Sequence, residues 1–308
     1  MSHRIEAPDS AGEGDDAGAQ LIHLRASDGV RLSLHAVGPA DGTPVLLVPG
    51  TFSNHSFWLG TRGTGFARYL AANGCRAVAL DPRGHGDSQR PGPGDRWTFD
   101  DWARRDLPAA IRRVARNGPV FLVGHSAGGA VVLVALAARP ELQEYVRGAV
   151  ILATPLPWLQ PLRRVFAHGI RLLSLAAGRF PARMLGIGPE DELARVMAQW
   201  MTWNLRGSWR GDDGTDYGAR LCDVRVPILA MAGAGDRLWA PPRAVRGLVD
   251  LLASPDRTFT VCGRDDGFSR DYDHNGLVIS RPARREVWPR IFAWLDARAH
   301  PPGALPAT

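Results

Sequence analysis

The sequence predicts an α/β protein, a mostly parallel, doubly wound sheet with helices on both faces and a helical insertion in its second half. Three observations predict it. Short aliphatic runs at residues 45–48, 76–80, 120–123, 148–152 and 228–231 are bounded by glycine or proline, as strands buried on both faces are. Helix-forming stretches separate several of these runs, and right-handed crossovers turn such repeats into a parallel sheet. Between residues 155 and 218 the rhythm breaks into two helical stretches among Trp158, Trp200, Trp203 and Trp209. A chain of 308 residues with 45% apolar content suits one sizeable core of this kind.

The elements follow in order. Residues 1–20 are small, polar and acidic, too poor in apolar surface to offset the entropy of ordering them, and read as a tail. Alternating residues on either side of Ser27-Asp28-Gly29 read as an antiparallel hairpin. The run at 45–48 is the first buried strand. Residues 66–73 form a short helix closed by Gly74, before the strand at 76–80. Thr98 with Asp101 can cap a helix to about Arg116 that Pro108 must kink or restart. The strand at 120–123 turns sharply into a helix that ends near Pro140, and another strand covers 148–152. Within the insertion, 162–177 and 190–203 are helical, and a glycine- and aspartate-rich stretch at 211–216 leads back to the core. The core, 21–154 and 219–299, closes with strands at 227–231 and 258–262, a helix at 242–252 and a last helix at 283–299 interrupted by Pro289. Residues 300–308 are a second tail.

Charge and cysteine content exclude several roles. The formal charge is +6, yet all 37 basic residues are arginine and they lie scattered among acids, which points to compositional bias rather than a phosphate track. No nucleic-acid partner is expected. Cys75, Cys222 and Cys262 have no metal or redox spacing and read as buried thiols in a reducing compartment. With no apolar leader and no membrane-length run, the chain reads as soluble and cytoplasmic without stable membrane insertion.

The chemistry centres on Gly124-His125-Ser126-Ala127-Gly128, a G-x-S-x-G turn between strand and helix. Five residues can match by chance in a chain with 35 glycines; the strand-turn-helix setting distinguishes this match. A serine there stands clear of the sheet at a helix N-terminus, where N–H groups favour developing negative charge. It needs a base and a group to orient that base. His168, His274 and His300 follow Ser126, and His274 alone lies between the last strand and the last helix. Asp236, after the strand at 227–231, is the expected acid, with Asp265 and Asp266 as runners-up. The backbone N–H of Ala127 and that of Thr51 or Phe52, after the first buried strand, would hold an oxyanion. Asp81-Pro82-Arg83-Gly84 would brace its loop, and His55, His85 and His125 read as structural. No cofactor or metal is called for.

Residues 45–50, 81–88 and 124–128, with Asp236 and His274, together resemble the α/β-hydrolase fold over roughly residues 21–298. Within that superfamily the chain is similar to serine esterases and lipases, and more narrowly to acid-lipase-like esterases. The narrower likeness rests on residues 97–103 with Asp106-Leu107-Pro108-Ala109, and on Tyr272-Asp273-His274 followed by Val287-Trp288-Pro289-Arg290-Ile291. The resemblance implies a triad of Ser126, Asp236 and His274 and an acyl-enzyme formed from a small-molecule or lipid ester. Pro49 in place of histidine, a shorter cap and no secretion signal argue against carrying over lysosomal or secreted triglyceride lipase activity. The expectation is a carboxylic ester hydrolase for an apolar substrate. Acyl transfer, thioester or amide cleavage would use the same groups, a pocket without useful turnover is the non-enzymatic alternative, and a homo-oligomer stays open.

Overall fold

The computed structural model describes residues 18–60, 64–157 and 161–300. The expected tails, apart from residues 18–20 and His300, lie outside the described residues, as does Trp158. Strand β1 (Gln20–Arg25) begins at the end of the expected first tail and pairs antiparallel with β2 (Arg31–Val37). Gly29 supplies the positive φ of +85° their turn requires. Next come β3 (Thr43–Val48), the short helices α1 (Ser56–Leu59) and α2 (Phe66–Ala72), and β4 (Cys75–Asp81). Strand β4 lies antiparallel to β2 and parallel to β3.

The helix expected after Thr98 is split. The capping box of Thr98 and Asp101 starts α3 (Phe99–Asp101), Trp102–Asp106 widens into a π-helical turn, and α4 (Leu107–Val114) follows. Pro108 has no N–H for the Arg104 carbonyl, and the preceding turn closes instead through the Leu107 N–H to the Trp102 carbonyl, five residues back. Strand β5 (Val120–His125) is buried along its length, and α5 (Ala127–Ala138) is buried along nearly all of its own. A helix apolar on every side can only sit inside the molecule. Strand β6 (Val146–Leu152) completes this half.

The insertion carries α6 (Pro161–Ala177), the two-residue strands β7 (Arg179–Phe180) and β8 (Glu192–Leu193), which pair antiparallel, and α7 (Ala194–Arg206). Helix α7 starts four residues later than its periodicity predicts, because Glu190 and Glu192 lie outside the helix with their carboxylates turned to the core loops. After α8 (Tyr217–Arg220) the sheet resumes with β9 (Ile228–Gly233), α9 (Pro242–Asp250), β10 (Arg257–Cys262), α10 (Gly276–Ile279) and α11 (Ala283–Ala299). The eight long strands run in the order β1-β2-β4-β3-β5-β6-β9-β10, parallel from β4 to β10.

Two expectations are corrected. Pro289 does not interrupt α11, which runs through it between buried Val287, Trp288 and Ile291; packing against the core outweighs one lost helix bond. Cys222 is exposed at the end of α8, whereas Cys75 and Cys262 are buried as expected. Among the described residues no helix is long and apolar enough to cross a membrane.

Candidate active site

Ser126 sits at the turn from β5 into α5 with φ +55° and ψ −124°. Its neighbours permit that turn by being small: a Cβ on Gly128 would overlap the carbonyl oxygens of Val48 and Pro49, and one on Gly124 would press into Gly129. Thr154 Oγ1 donates to the Ser126 carbonyl at 2.9 Å and steadies the elbow from β6. Phe52, Ser126 and Ala153 are the non-glycine residues with positive φ among those described, and they follow β3, β5 and β6, three adjacent strands. Backbone strain of this kind collects at functional sites.

Asp236 lies in the turn after β9, and the loop carrying His274 is tied to that turn by the Gly235 N–H, which donates to the Tyr272 carbonyl at 2.9 Å. His274 Nδ1–H donates to Asp236 Oδ2 at 2.6 Å. The same carboxylate, almost fully buried, accepts the N–H groups of Trp239 at 2.9 Å and Ala240 at 3.0 Å. Burial alone would push its pKa up; the hydrogen bond and charge of His274 and the two N–H groups outweigh that and hold it below the usual carboxylate value. With Nδ1 committed to Asp236, Nε2 is the ring nitrogen left for chemistry. Ser126 and His274 line one cavity, and no hydrogen bond joins them directly among the described residues. Such contacts often close only when substrate binds.

The loop after β3 abuts the elbow: a Cβ on Gly50 would come 3.2 Å from the Ser126 Cβ. Thr51 and Ala127 N–H have no protein acceptor among the described residues. Phe52 differs, because its N–H donates to Glu192 Oε2 at 3.2 Å.

The other candidates take structural places. Asp81 accepts from His35 Nε2 at 3.0 Å, from His55 Nδ1 at 2.8 Å, and from the N–H groups of His55 and Asp87. Those two imidazoles are stacked 3.5 Å apart at 22°. Nearly parallel ring planes cannot both contain an ion about 2 Å from each nitrogen, so His35, His55, Asp81 and Asp87 form a hydrogen-bonded cluster rather than a metal centre. Arg83 is fully buried between Asp106 and Asp28, the brace expected of its loop. His125 Nε2–H donates to the His274 carbonyl at 3.0 Å; burial, helped by the neighbouring His274, pushes its pKa down to about 3, so it is neutral near pH 7. His168 is exposed on α6, His300 is exposed near Asp296, and Asp265 and Asp266 are exposed.

The cavity measures about 590 Å³, and among the described residues its lining contains no Asp, Glu or Arg. Phe57, Ile170, Met197 and Trp200 face it. Of the insertion's tryptophans, Trp203 and Trp209 pack into the core with Phe99 and Tyr217, while Trp239, beside Asp236, joins the lining. Glu190, Glu192 and Trp239 escaped the sequence reading because nothing in their local pattern marks contacts made across the fold.

The strand order, the elbow after β5 and the loops after β9 and β10 coincide with a known architecture, and residues 43–192 match the family model described as alpha/beta hydrolase fold. The chain has the α/β-hydrolase fold. An esterase from Thermogutta terrifontis shares this fold with a TM-score of 0.62 at 20% identity, over 92% of this chain and all of that one. Among curated relatives, a non-heme chloroperoxidase of Streptomyces lividans is 30% identical over 132 residues, 43% of this chain and 44% of its own. A Mycobacterium tuberculosis protein named Probable oxidoreductase EphD is 34% identical over 101 residues, 33% of this chain and 16% of its own. The match thus spans less than half the length of either curated relative.

Proposed function

We propose that the protein is a serine hydrolase that cleaves a carboxylic ester of an apolar small molecule or lipid. The observation that carries the reading is the 2.6 Å hydrogen bond from His274 to buried Asp236, in the cavity that holds the strained Ser126 elbow. In this reading His274 Nε2 takes the Ser126 proton as Oγ attacks the acyl carbon. The carbonyl oxygen becomes an oxyanion held by the Ala127 N–H and by an N–H from the loop after β3. Collapse breaks the ester bond, His274 returns the proton to the leaving alkoxide, and a water activated by the same imidazole releases the acid. Asp236 stays ionised, fixes the tautomer and stabilises the imidazolium.

The described lining supports an uncharged acyl or aryl group, because a charged one would be desolvated there without an Asp, Glu or Arg partner among those residues. The Thermogutta terrifontis protein of the same fold is an esterase, in keeping with this reading. The test is turnover of p-nitrophenyl esters of graded chain length. Ser126→Ala should abolish it with the fold intact, and wild-type kcat/KM should rise with each methylene by up to about 0.8 kcal/mol of binding until the cavity is filled. Retained activity in Ser126→Ala would overturn the reading.

A further inference from the structure

We propose that Glu192, carried by the insertion, is a positioning residue: it holds the loop after β3 so that Thr51, not Phe52, supplies the second oxyanion N–H. The inference rests on the Ser126 reading and goes one step past it. Both backbone polar groups of Phe52 are already engaged. Its N–H donates to Glu192 Oε2 at 3.2 Å, and its carbonyl accepts the Glu190 N–H at 3.1 Å. A donor occupied by a buried carboxylate is not free for an oxyanion, and a developing negative charge beside that carboxylate would be repelled. Thr51, one residue earlier and facing the cavity, has no acceptor for its N–H among the described residues.

Glu192 itself is fixed from the other side. Its Oε1 accepts His85 Nε2–H at 3.2 Å and its own neighbour's Leu193 N–H at 3.0 Å. His85 Nδ1–H donates to the Ser53 carbonyl at 2.8 Å. Both ring nitrogens of His85 therefore face oxygen acceptors, which suits an imidazolium paired with a carboxylate. Burial opposes that charge, while Glu192 and, at longer range, Glu190 favour it and raise the pKa above the ordinary value. The His85 and Glu192 side chains are wholly shielded from solvent. One carboxylate from the insertion thus spans Phe52 and, through His85, Ser53, and keeps Phe52 at its positive φ of +62°. Closely seated Gly188 closes the clamp, since a Cβ there would overlap the Phe52 carbonyl oxygen.

The experiment compares wild type, Glu192→Ala, Glu192→Gln and Gly188→Ala on a short p-nitrophenyl ester, with a trifluoromethyl ketone as a probe that forms an oxyanion on Ser126. Glu192→Ala should lower kcat about tenfold to a hundredfold with KM within about twofold, and weaken the trifluoromethyl ketone by the same factor. Glu192→Gln keeps an acceptor for the Phe52 N–H and should recover most of kcat, which a role in folding or in substrate contact alone would not give. If Glu192→Ala fails to fold, Gly188→Ala displaces the same loop with every charge in place and should show the same kcat loss. Unchanged kcat in Glu192→Ala, or in Gly188→Ala where the former does not fold, a loss confined to KM, or equal loss in Glu192→Ala and Glu192→Gln would overturn the proposal. Wild type that neither turns over esters nor labels with a fluorophosphonate would instead overturn the Ser126 reading, and this proposal with it.

Discussion

At the scale of single residues, His125 shows how the site is kept free of stray charge. Burial beside His274 lowers its pKa from 6.5 to about 3. Between those values the unfolded chain binds a proton that the folded one refuses. The stabilisation is therefore complete above pH 6.5 and is lost as pH falls towards 3. His125→Gln should flatten this part of the acid limb in urea unfolding; equal slopes in both proteins would remove His125 as its source. The strand end before Ser126, the glycine turn of Asp236 and the polar loop of His274 are legible in the sequence, because each leaves a local pattern. Glu192 left none. Its partners, Phe52 and His85, stand 140 and 107 residues away, and in sequence it looks like the first turn of a helix. The π-helical turn ahead of Pro108 was foreshadowed by the proline, but not its type.

At the scale of elements, the strand-elbow-helix unit of β5 and α5 depends on backbones touching. Gly128→Ala places a methyl group against the Val48 and Pro49 carbonyls, which are themselves fixed in β3 and its loop. The expected cost is about 1–3 kcal/mol, read as a lower urea midpoint, with loss of fluorophosphonate labelling. A variant as stable and as reactive as wild type would show that the elbow can move. Elements legible in the sequence were those whose signal is local: the Gly29 hairpin, the Thr98 capping box and the aliphatic strands. Helix α11 was misread because Pro289 is a local stop signal, whereas Val287, Trp288 and Ile291 hold the helix through contacts that periodicity does not weigh.

At the scale of the molecule, one buried cation links distant parts. Arg83 joins the loop after β4 to Asp106 of the π-helical turn and to Asp28 of the first hairpin. Arg83→Ala would leave Asp106 buried without its partner and should cost about 3–5 kcal/mol. Arg298→Ala, which breaks a part-exposed pair with Asp256, should cost about 1 kcal/mol or less, and a comparable loss in the two variants would contradict the role given to Arg83. The order of β3 and β4 in the sheet, reversed relative to the chain, was not legible, since crossovers fix handedness but not which neighbour a strand chooses. The three positive-φ residues at the ends of β3, β5 and β6 bear on evolution under heat. Selection for thermal tolerance alone should favour glycine at 153 and at 126, each relieving backbone strain on the order of 1–3 kcal/mol. Ala153→Gly should melt higher and stay active, whereas Ser126→Gly should melt higher and be dead, so a screen scored only by survival of heating would enrich catalysts that no longer catalyse.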